Sequence, residues 1–187
     1  MSNYKKISIP KNGDGAGCAT AKFSEIIIID VDDIKTEPTR TVGDTSMVGD
    51  YELVEGAKAV SIYATPSSIE YIEEPAGEAD ARGVKNGIAF EHPGNSKEIK
   101  GFNEAYMNRG VVAIVKECDG SATGRSQSFG SKCNPLFLTT ESTNNKEATK
   151  RKFTFKQEVT DKFLAGDYSG AEPPLADKPT TTGQEGA

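Results

Sequence analysis

Continuous and alternating apolar positions along the chain predict a mainly β fold. The segment Lys22–Val31 contains four successive isoleucines, so both of its faces are apolar. A strand of this kind is buried on both sides, either within its own core or with one face against a neighbouring chain. Further strands are predicted at Ala57–Tyr63, Ser68–Glu73, Ile88–Glu91, Val111–Val115, Leu136–Thr140 and Arg151–Val159.

Turn signals between these strands predict how some of them connect. Thr65-Pro66-Ser67 favours a hairpin formed by Ala57–Tyr63 and Ser68–Glu73. Glu74–Asn86 is predicted to be an acidic loop that ends in the turn dipeptide Asn86-Gly87, and Ser121–Ser128 is typical of a small polar loop. In the last strand, Phe153, Phe155 and Val159 are predicted to share one face.

One segment has helical periodicity. Asn95 is a favourable N-cap, and Glu98 follows three residues later, as in a capping box. Gly110 is suitably placed to end the helix. The pattern therefore predicts one helix near 95–109, whose apolar stripe consists of Ile99, Phe102 and Tyr106.

The distribution of Gly, Pro and polar residues divides the chain into three parts. Residues 1–20, with a glycine-rich segment at 11–17, are predicted to form an N-terminal arm, and residues 21–165 a β-rich domain. Residues 166–187 are predicted to be a flexible C-terminal tail. Within the domain, Asp32–Asp50 is expected to be a long polar loop, which in a compact domain is usually functional or disordered.

Composition fits one polar domain with appendages. The 187 residues are 35% hydrophobic and 27% charged, with a mean hydropathy of -0.52, so a thin core is expected. The net charge of -6 argues against a protein that grips nucleic acid by its phosphates. We expect no secretory signal and no membrane-spanning segment. The cysteines, odd in number and without CxxC spacing, suit free thiols in a reducing cytoplasm.

No pattern of catalytic, cofactor-binding or metal-binding residues emerges from the sequence. His92, the single histidine, precedes Pro93 and has no marked nucleophile nearby in sequence. The glycines at 13, 15 and 17 precede a strand instead of following one, which excludes a dinucleotide-binding turn. Gly124–Lys132 lacks phosphate-loop spacing, and the stretch from Asp30 lacks the Gly and Glu of a calcium loop. We therefore predict a protein that is not an enzyme.

Two clusters of opposite charge are candidates for contacts between copies of the chain. The basic cluster would meet the acidic cluster of an adjacent copy and steer association. Alternatively, its lysines form a solvated edge that resists stray strand pairing. The acidic cluster is Glu70, Glu73, Glu74, Glu78 and Asp80, and the basic cluster is Lys146, Lys150, Arg151, Lys152 and Lys156.

The order of elements resembles that of bacteriophage major tail tube proteins. The likeness is architectural over Phe23–Val159 and is nearest at Gly130–Leu136 (GSKCNPL) and Phe153–Glu158 (FTFKQE). The family implies a fold that is mainly β with one central α-helix, as a β-sandwich or half-open barrel flanked by the helix. It also implies rings of six copies that close an inner barrel and stack through a long loop and extended terminal arms.

The resemblance implies a structural role in a virion, assembled in the host cytoplasm. The expected partners are further copies of the chain, other virion tail proteins, and DNA as a passing cargo that an acidic conduit would not bind. Alternatives are a capsid decoration or tail-completion protein, a carbohydrate-binding β-sandwich, or an enzyme. Candidate stacking residues between rings are Thr36, Arg40, Asp44, Met47 and Asp50. Candidate charge contacts between subunits are Glu70, Glu73, Glu74, Lys150, Arg151 and Lys152.

Overall fold

Twelve strands and one helix make up the part of the chain that the computed structural model describes, residues 8–11, 18–41, 43–118 and 125–178. The prediction of a mainly β protein with one helix is confirmed. The elements are β1 Lys22–Asp30, β2 Ile34–Thr36, β3 Ser46–Met47, β4 Glu52–Leu53, β5 Val60–Tyr63, β6 Glu70–Ala76, β7 Gly83–Pro93, α1 Lys97–Tyr106, β8 Val111–Glu117, β9 Arg125–Phe129, β10 Leu136–Asn144, β11 Thr149–Gln157 and β12 Gly166–Tyr168.

Ten of the strands form one large sheet whose two halves face each other. The back layer has the order β5-β1-β8-β9-β12-β3, and the front layer has the order β10-β11-β7-β6. The layers meet where β9 passes into β10, and the pair Leu136–Val111 joins them. β2 and β4 form a separate two-stranded sheet.

The main core fills the space between the layers. Its side chains come from both layers and include four phenylalanines and several isoleucines that are fully buried. Tyr71 of β6 contacts Phe129 of β9 with ring centroids 4.9 Å apart, which shows how closely the front layer approaches the back layer. The arrangement is that of a β-sandwich or half-open barrel.

A second apolar cluster covers the outer side of the back layer. Ile26 and Ile28 of β1 face the main core, whereas Ile27 and Ile29 face this second cluster. The cluster is completed by Ile34, Tyr51 and Leu53 from the segment after β1, and by Tyr168 and Leu175 near the C-terminus. Both faces of the isoleucine strand are therefore covered by the same chain, one of the two arrangements that the sequence left open.

Helix α1 closes one side of the main core. Its N-cap is Ser96, whose side chain accepts a 3.4 Å bond from the Ile99 amide, so the prediction of Asn95 as the cap was one residue early. The helix ends at Tyr106, before Gly110. The apolar stripe is confirmed, because Ile99 is buried and both aromatic residues pack on the core. Phe102 meets Phe153 edge to face at 5.8 Å.

The predicted hairpin between the second and third strands was wrong. β5 pairs with β1 in the back layer, and β6 pairs with β7 in the front layer. Pro66–Ser68 forms a 3-10 turn that carries the chain from one layer to the other. The predicted acidic loop is also largely strand. The turn falls at 77–82, where Gly77 has φ +109°, and Gly87 lies inside β7 against the backbone of β11.

Other predicted loops and ends differ from the structure as well. Of the predicted loop 121–128, Arg125–Ser128 belongs to β9, and the rest lies outside the described residues. β11 ends at Gln157, which leaves Val159 off the aromatic face and 66% exposed. The loop Asp32–Asp50 contains β2 and β3. Most of the predicted arm 1–20 lies outside the described residues.

The predicted flexible tail is in part a docked segment. β12 lies between β9 and β3, and Tyr168 is buried. Further on, the amide of Ala59 donates to the Pro174 carbonyl and the amide of Ala176 donates to the Ala59 carbonyl, both at 2.8 Å. Residues 166–178 are thus held by their own chain, because two apolar anchors, Tyr168 and Leu175, enter the second cluster.

Candidate assembly surfaces

The front layer has two outer edges without a strand partner in the described part of the chain. β6 pairs with β7 on one side, and β10 pairs with β11 on one side and with β8 only through Leu136. All pairings in this layer are antiparallel, so β6 and β10 run in opposite directions. Unpaired edges of this kind present backbone donors and acceptors to another chain.

At the free edge of β10, alternate backbone amides point outward. Successive residues of an antiparallel pair point their N–H and C=O groups to opposite edges. Leu136 uses this side for β8, and at the other end the amide of Asn145 donates to Ala148 across the hairpin. Both contacts establish which residues of β10 point their backbone groups toward β11 and which point them toward the free edge. The amides at the free edge are therefore those of Leu138, Thr140, Ser142 and Asn144.

The free edge of β6 carries a proline. Pro75 lies opposite Val84, whose backbone bonds Asp161 on the far side of β7. An amide at position 75 would consequently point away from β7, where its absence costs no bond within the chain. Tyr71 and Glu73 have the same orientation, so their amides face the open edge.

A cavity of about 700 Å³ lies at one end of the front layer. It opens between the ends of β7, β10 and β11 on one side and residues 37–40, Met47 and 159–164 on the other. The residues important below are Arg40, Met47, Asn86, Cys133, Gln157 and Phe163. Its volume is in the range of binding pockets.

Buried amide side chains form one wall of the cavity. Gln157 is 2% exposed, and its Oε1 accepts from the backbone amide of Asn86 at 2.9 Å and from the side-chain amide of Asn86 at 3.1 Å. Its Nε2 donates to the Asn134 carbonyl at 3.0 Å, and Asn86 also donates to the Phe163 carbonyl at 2.8 Å. This network joins the ends of three front-layer strands to the loop that follows them.

Cations and exposed apolar side chains surround the opening. Arg40 donates to the carbonyls of Asp44 and Leu164, and its guanidinium carbon lies 5.0 Å from the Phe163 ring centroid. Lys162 lies at the same distance from that ring. Burial lowers the pKa of Arg40 below its ordinary value, although nearby carboxylates oppose the effect. Leu164 and Val159, which also line the cavity, are 47% and 66% exposed.

The structure brings two of the five predicted stacking residues, Arg40 and Met47, to this cavity. The others make contacts within the chain. Thr36 donates to Glu52 at 3.0 Å, and Asp50 accepts from the amide of Ala171 at 2.8 Å. The Asp44 carboxylate accepts from the Ser46 amide, which lowers the pKa of Asp44.

The predicted charge contacts are met partly inside one chain. Glu74 on β6 forms an ion pair with Lys156 on β11, and Lys156 lowers the pKa of Glu74 below its ordinary value. Lys150 pairs with Glu91 at 2.8 Å. β7 lies between the acidic and basic strands, so the two clusters lie on one sheet, which the sequence did not predict.

The remaining candidates have different surroundings. Arg151 turns inward and donates to Thr140 at 3.3 Å and Asn95 at 3.0 Å. Lys152 lies opposite Glu91 and Glu141 in the strand register, and Glu70 and Glu73 are exposed on β6. On the outward face of the front layer, acidic and basic residues occur in equal number. They are Glu70, Glu74, Glu91 and Glu141 with Lys85, Lys150, Lys152 and Lys156.

Sequence reasoning missed the amide network behind the cavity. A signal was present, since Gln157 continues the inward series of Phe153 and Phe155 and therefore places a polar side chain at a buried position. Among the described residues, no three His, Cys, Asp or Glu side chains are grouped as a metal ion requires. Over the same residues, no helix has the length and apolar character to cross a membrane.

No protein-family model, curated protein or solved structure matches this chain.

Proposed function

We propose that this protein is a structural subunit of a virion tail tube or of a related injection tube. Copies of the chain close into rings of six, and the rings stack into a conduit through which DNA passes without being bound. The subunit is assembled in the host cytoplasm and joins other tail proteins in the virion. It has no catalytic role in this proposal.

The observation that carries the proposal is the pair of free edges on the front layer. The layer contains four antiparallel strands, and its two outer strands, β6 and β10, have no partner on their outer sides among the described residues. Because these strands run in opposite directions, β6 of one copy and β10 of the next can continue the antiparallel sheet. Each copy then offers two different, complementary edges.

Such a head-to-tail contact closes into a ring when the rotation between copies allows it. Closing the front layer satisfies the outward amides of β6 and β10 and leaves no exposed strand edge in that layer. The two edges therefore support barrel formation by repeated copies.

The charge pattern supports a surface that does not retain DNA. On the outward face of the front layer, Lys150 and Lys156 are each paired with a carboxylate of their own chain. The cations on this face are matched in number by carboxylates, and the whole chain carries -6. This face carries no excess of cations, which suits a conduit that DNA passes through without being bound. Binding to phosphates draws its affinity from an excess of cations.

The test uses one variant on each edge. Ser142→Pro removes an outward amide from β10, and Glu73→Pro removes one from β6. Neither substitution removes a hydrogen bond between strands of the same chain. Ser142→Ala and Glu73→Ala are the matched controls. Negative-stain electron microscopy and mass photometry at several concentrations report the assemblies.

Wild type and both alanine variants are expected to form six-fold rings or hollow tubes, and each proline variant to remain monomeric. A mixture of the two proline variants is expected to give one-to-one dimers, because each supplies the edge that the other lacks. Wild-type protein that stays monomeric or trimeric at all concentrations would refute the proposal and favour a decoration or binding module.

A further inference from the structure

The front layer has two dissimilar ends. Its strands run from the cavity, near Asn134, Gln157 and Asn86, to the turn between β10 and β11. The register pairs Leu136 with Gln157 at the cavity end and Asn144 with Thr149 at the turn end. At about 3.3 Å per residue, the two ends are roughly 25 Å apart.

The turn, residues 145–148, here called the hairpin tip, is held by the backbone and side-chain bonds of Asn145. The Asn145 amide donates to the Ala148 carbonyl at 3.1 Å. The Asn145 side chain in turn accepts from the amides of Glu147 at 2.9 Å and Ala148 at 3.0 Å. Lys146 and Glu147 are therefore held at the extremity, both exposed, and neither forms an ion pair with the rest of the described chain.

The cavity offers the opposite charges for both tip residues. Glu37 and Asp161 line it together with Arg40, Lys162 and Phe163. Lysine at the tip matches the carboxylates, and glutamate at the tip matches the cations. The exposed Val159 and Leu164 supply an apolar rim around these charges.

We infer that the hairpin tip of one copy inserts into the cavity of a copy in the next ring. This inference rests on the proposed function, since it requires rings. In a ring closed through the front-layer edges, all tips project from one face and all cavities open on the other. Rings stacked in one direction then repeat the same tip-to-cavity contact, which an unlimited tube requires.

Cysteine cross-linking tests the contact directly. Cys133 lines the cavity and is exposed, so Ala148→Cys in a Cys18→Ser, Cys118→Ser background places a second thiol at the tip and keeps both tip charges. Diamide oxidation of assembled protein is expected to produce a ladder of covalent dimers and higher oligomers on non-reducing gels, because each copy carries one thiol at its tip and one in its cavity. Adding Cys133→Ser should abolish them. The control is Glu104→Cys on α1 in the same background, and equal dimer yield from that control would overturn the inference.

A second variant separates stacking from ring formation. Replacing both Lys146 and Glu147 by Gln removes both charges and leaves the bonds that Asn145 makes across the turn in place. This variant is expected to form rings that do not stack into tubes. Tubes as long as those of wild type would refute the tip contact but leave the proposed function intact. Wild-type protein without rings would refute both.

Discussion

Replacing Gln157 by alanine is expected to destabilise the folded chain by about 3 kcal/mol. The side chain is 2% exposed and makes three bonds of 2.9 to 3.1 Å. Its loss leaves the buried backbone amide of Asn86 without a partner, which costs about 1–3 kcal/mol. The other two bonds go to groups that keep a second partner, Phe163 and Ser131, so each contributes about 0.5–1 kcal/mol.

Urea unfolding of dilute protein, where association does not contribute, measures this cost. Gln127→Ala on β9 is the matched control, because that side chain is half-buried and is expected to change stability by less than about 0.5 kcal/mol. The Asn86→Ala, Gln157→Ala double variant should show a coupling of about 0.5–1 kcal/mol, the contribution of the bond between the two side chains.

Gln157→Glu gives an independent measure of the same network. The carboxylate can still accept from Asn86, but it would face the Asn134 carbonyl and the Asp161 carboxylate that Nε2 now faces. Burial and the neighbouring charge raise the pKa of such a carboxyl. The variant should therefore lose stability as pH rises above the ordinary value for glutamate. If Gln157→Ala lowers the free energy of unfolding by less than about 1 kcal/mol, or if the effects of the double variant are additive, the hydrogen-bond network of Asn86 and Gln157 is refuted.

Three further outcomes are expected. The pKa of Glu74 lies below its ordinary value because Lys156 pairs with it, so this contribution to stability is present above pH 4.5 and is lost as pH falls below that value. In Lys156→Met, carbon-detected NMR titration should show the pKa of Glu74 returning upward. Ser96→Ala should destabilise α1 by about 0.5–1 kcal/mol in thermal unfolding, while Ser96→Asp should not, since aspartate also caps. Tyr51→Phe leaves the buried Ser128 hydroxyl without its 2.7 Å partner and should cost about 1–2 kcal/mol in urea, whereas an unchanged midpoint would contradict that bond.

The sequence was sufficient where one segment decides its own environment. The isoleucines of β1 predicted a strand with two buried faces, because side chains alternate across a strand. The helical stripe was found because apolar residues spaced by three or four positions share one face of a helix. Only the cap was displaced by one residue, to Ser96.

Features that depend on distant segments escaped sequence reasoning. Thr65-Pro66-Ser67 has the composition of a hairpin turn, yet it connects two layers, because Glu91 of β7 bonds both Thr65 and Ser68. The segment after Gly166 has the composition of a flexible tail, and only the second apolar cluster, built mostly from residues more than 100 positions earlier, gives Tyr168 a site. The cavity likewise arises from segments that no local pattern links.

The position of β12 in the back layer orders events during synthesis. Chains emerge from the ribosome N-terminus first, and the front layer is complete once Gln157 has appeared, eleven residues before Tyr168. A nascent chain therefore exposes both of its unpaired front-layer edges while the second cluster still lacks its C-terminal side chains. Pairing between the front-layer edges of neighbouring nascent chains can therefore begin before β12 completes the back layer, and polysomes, which hold many such chains close together, are the place where it would begin.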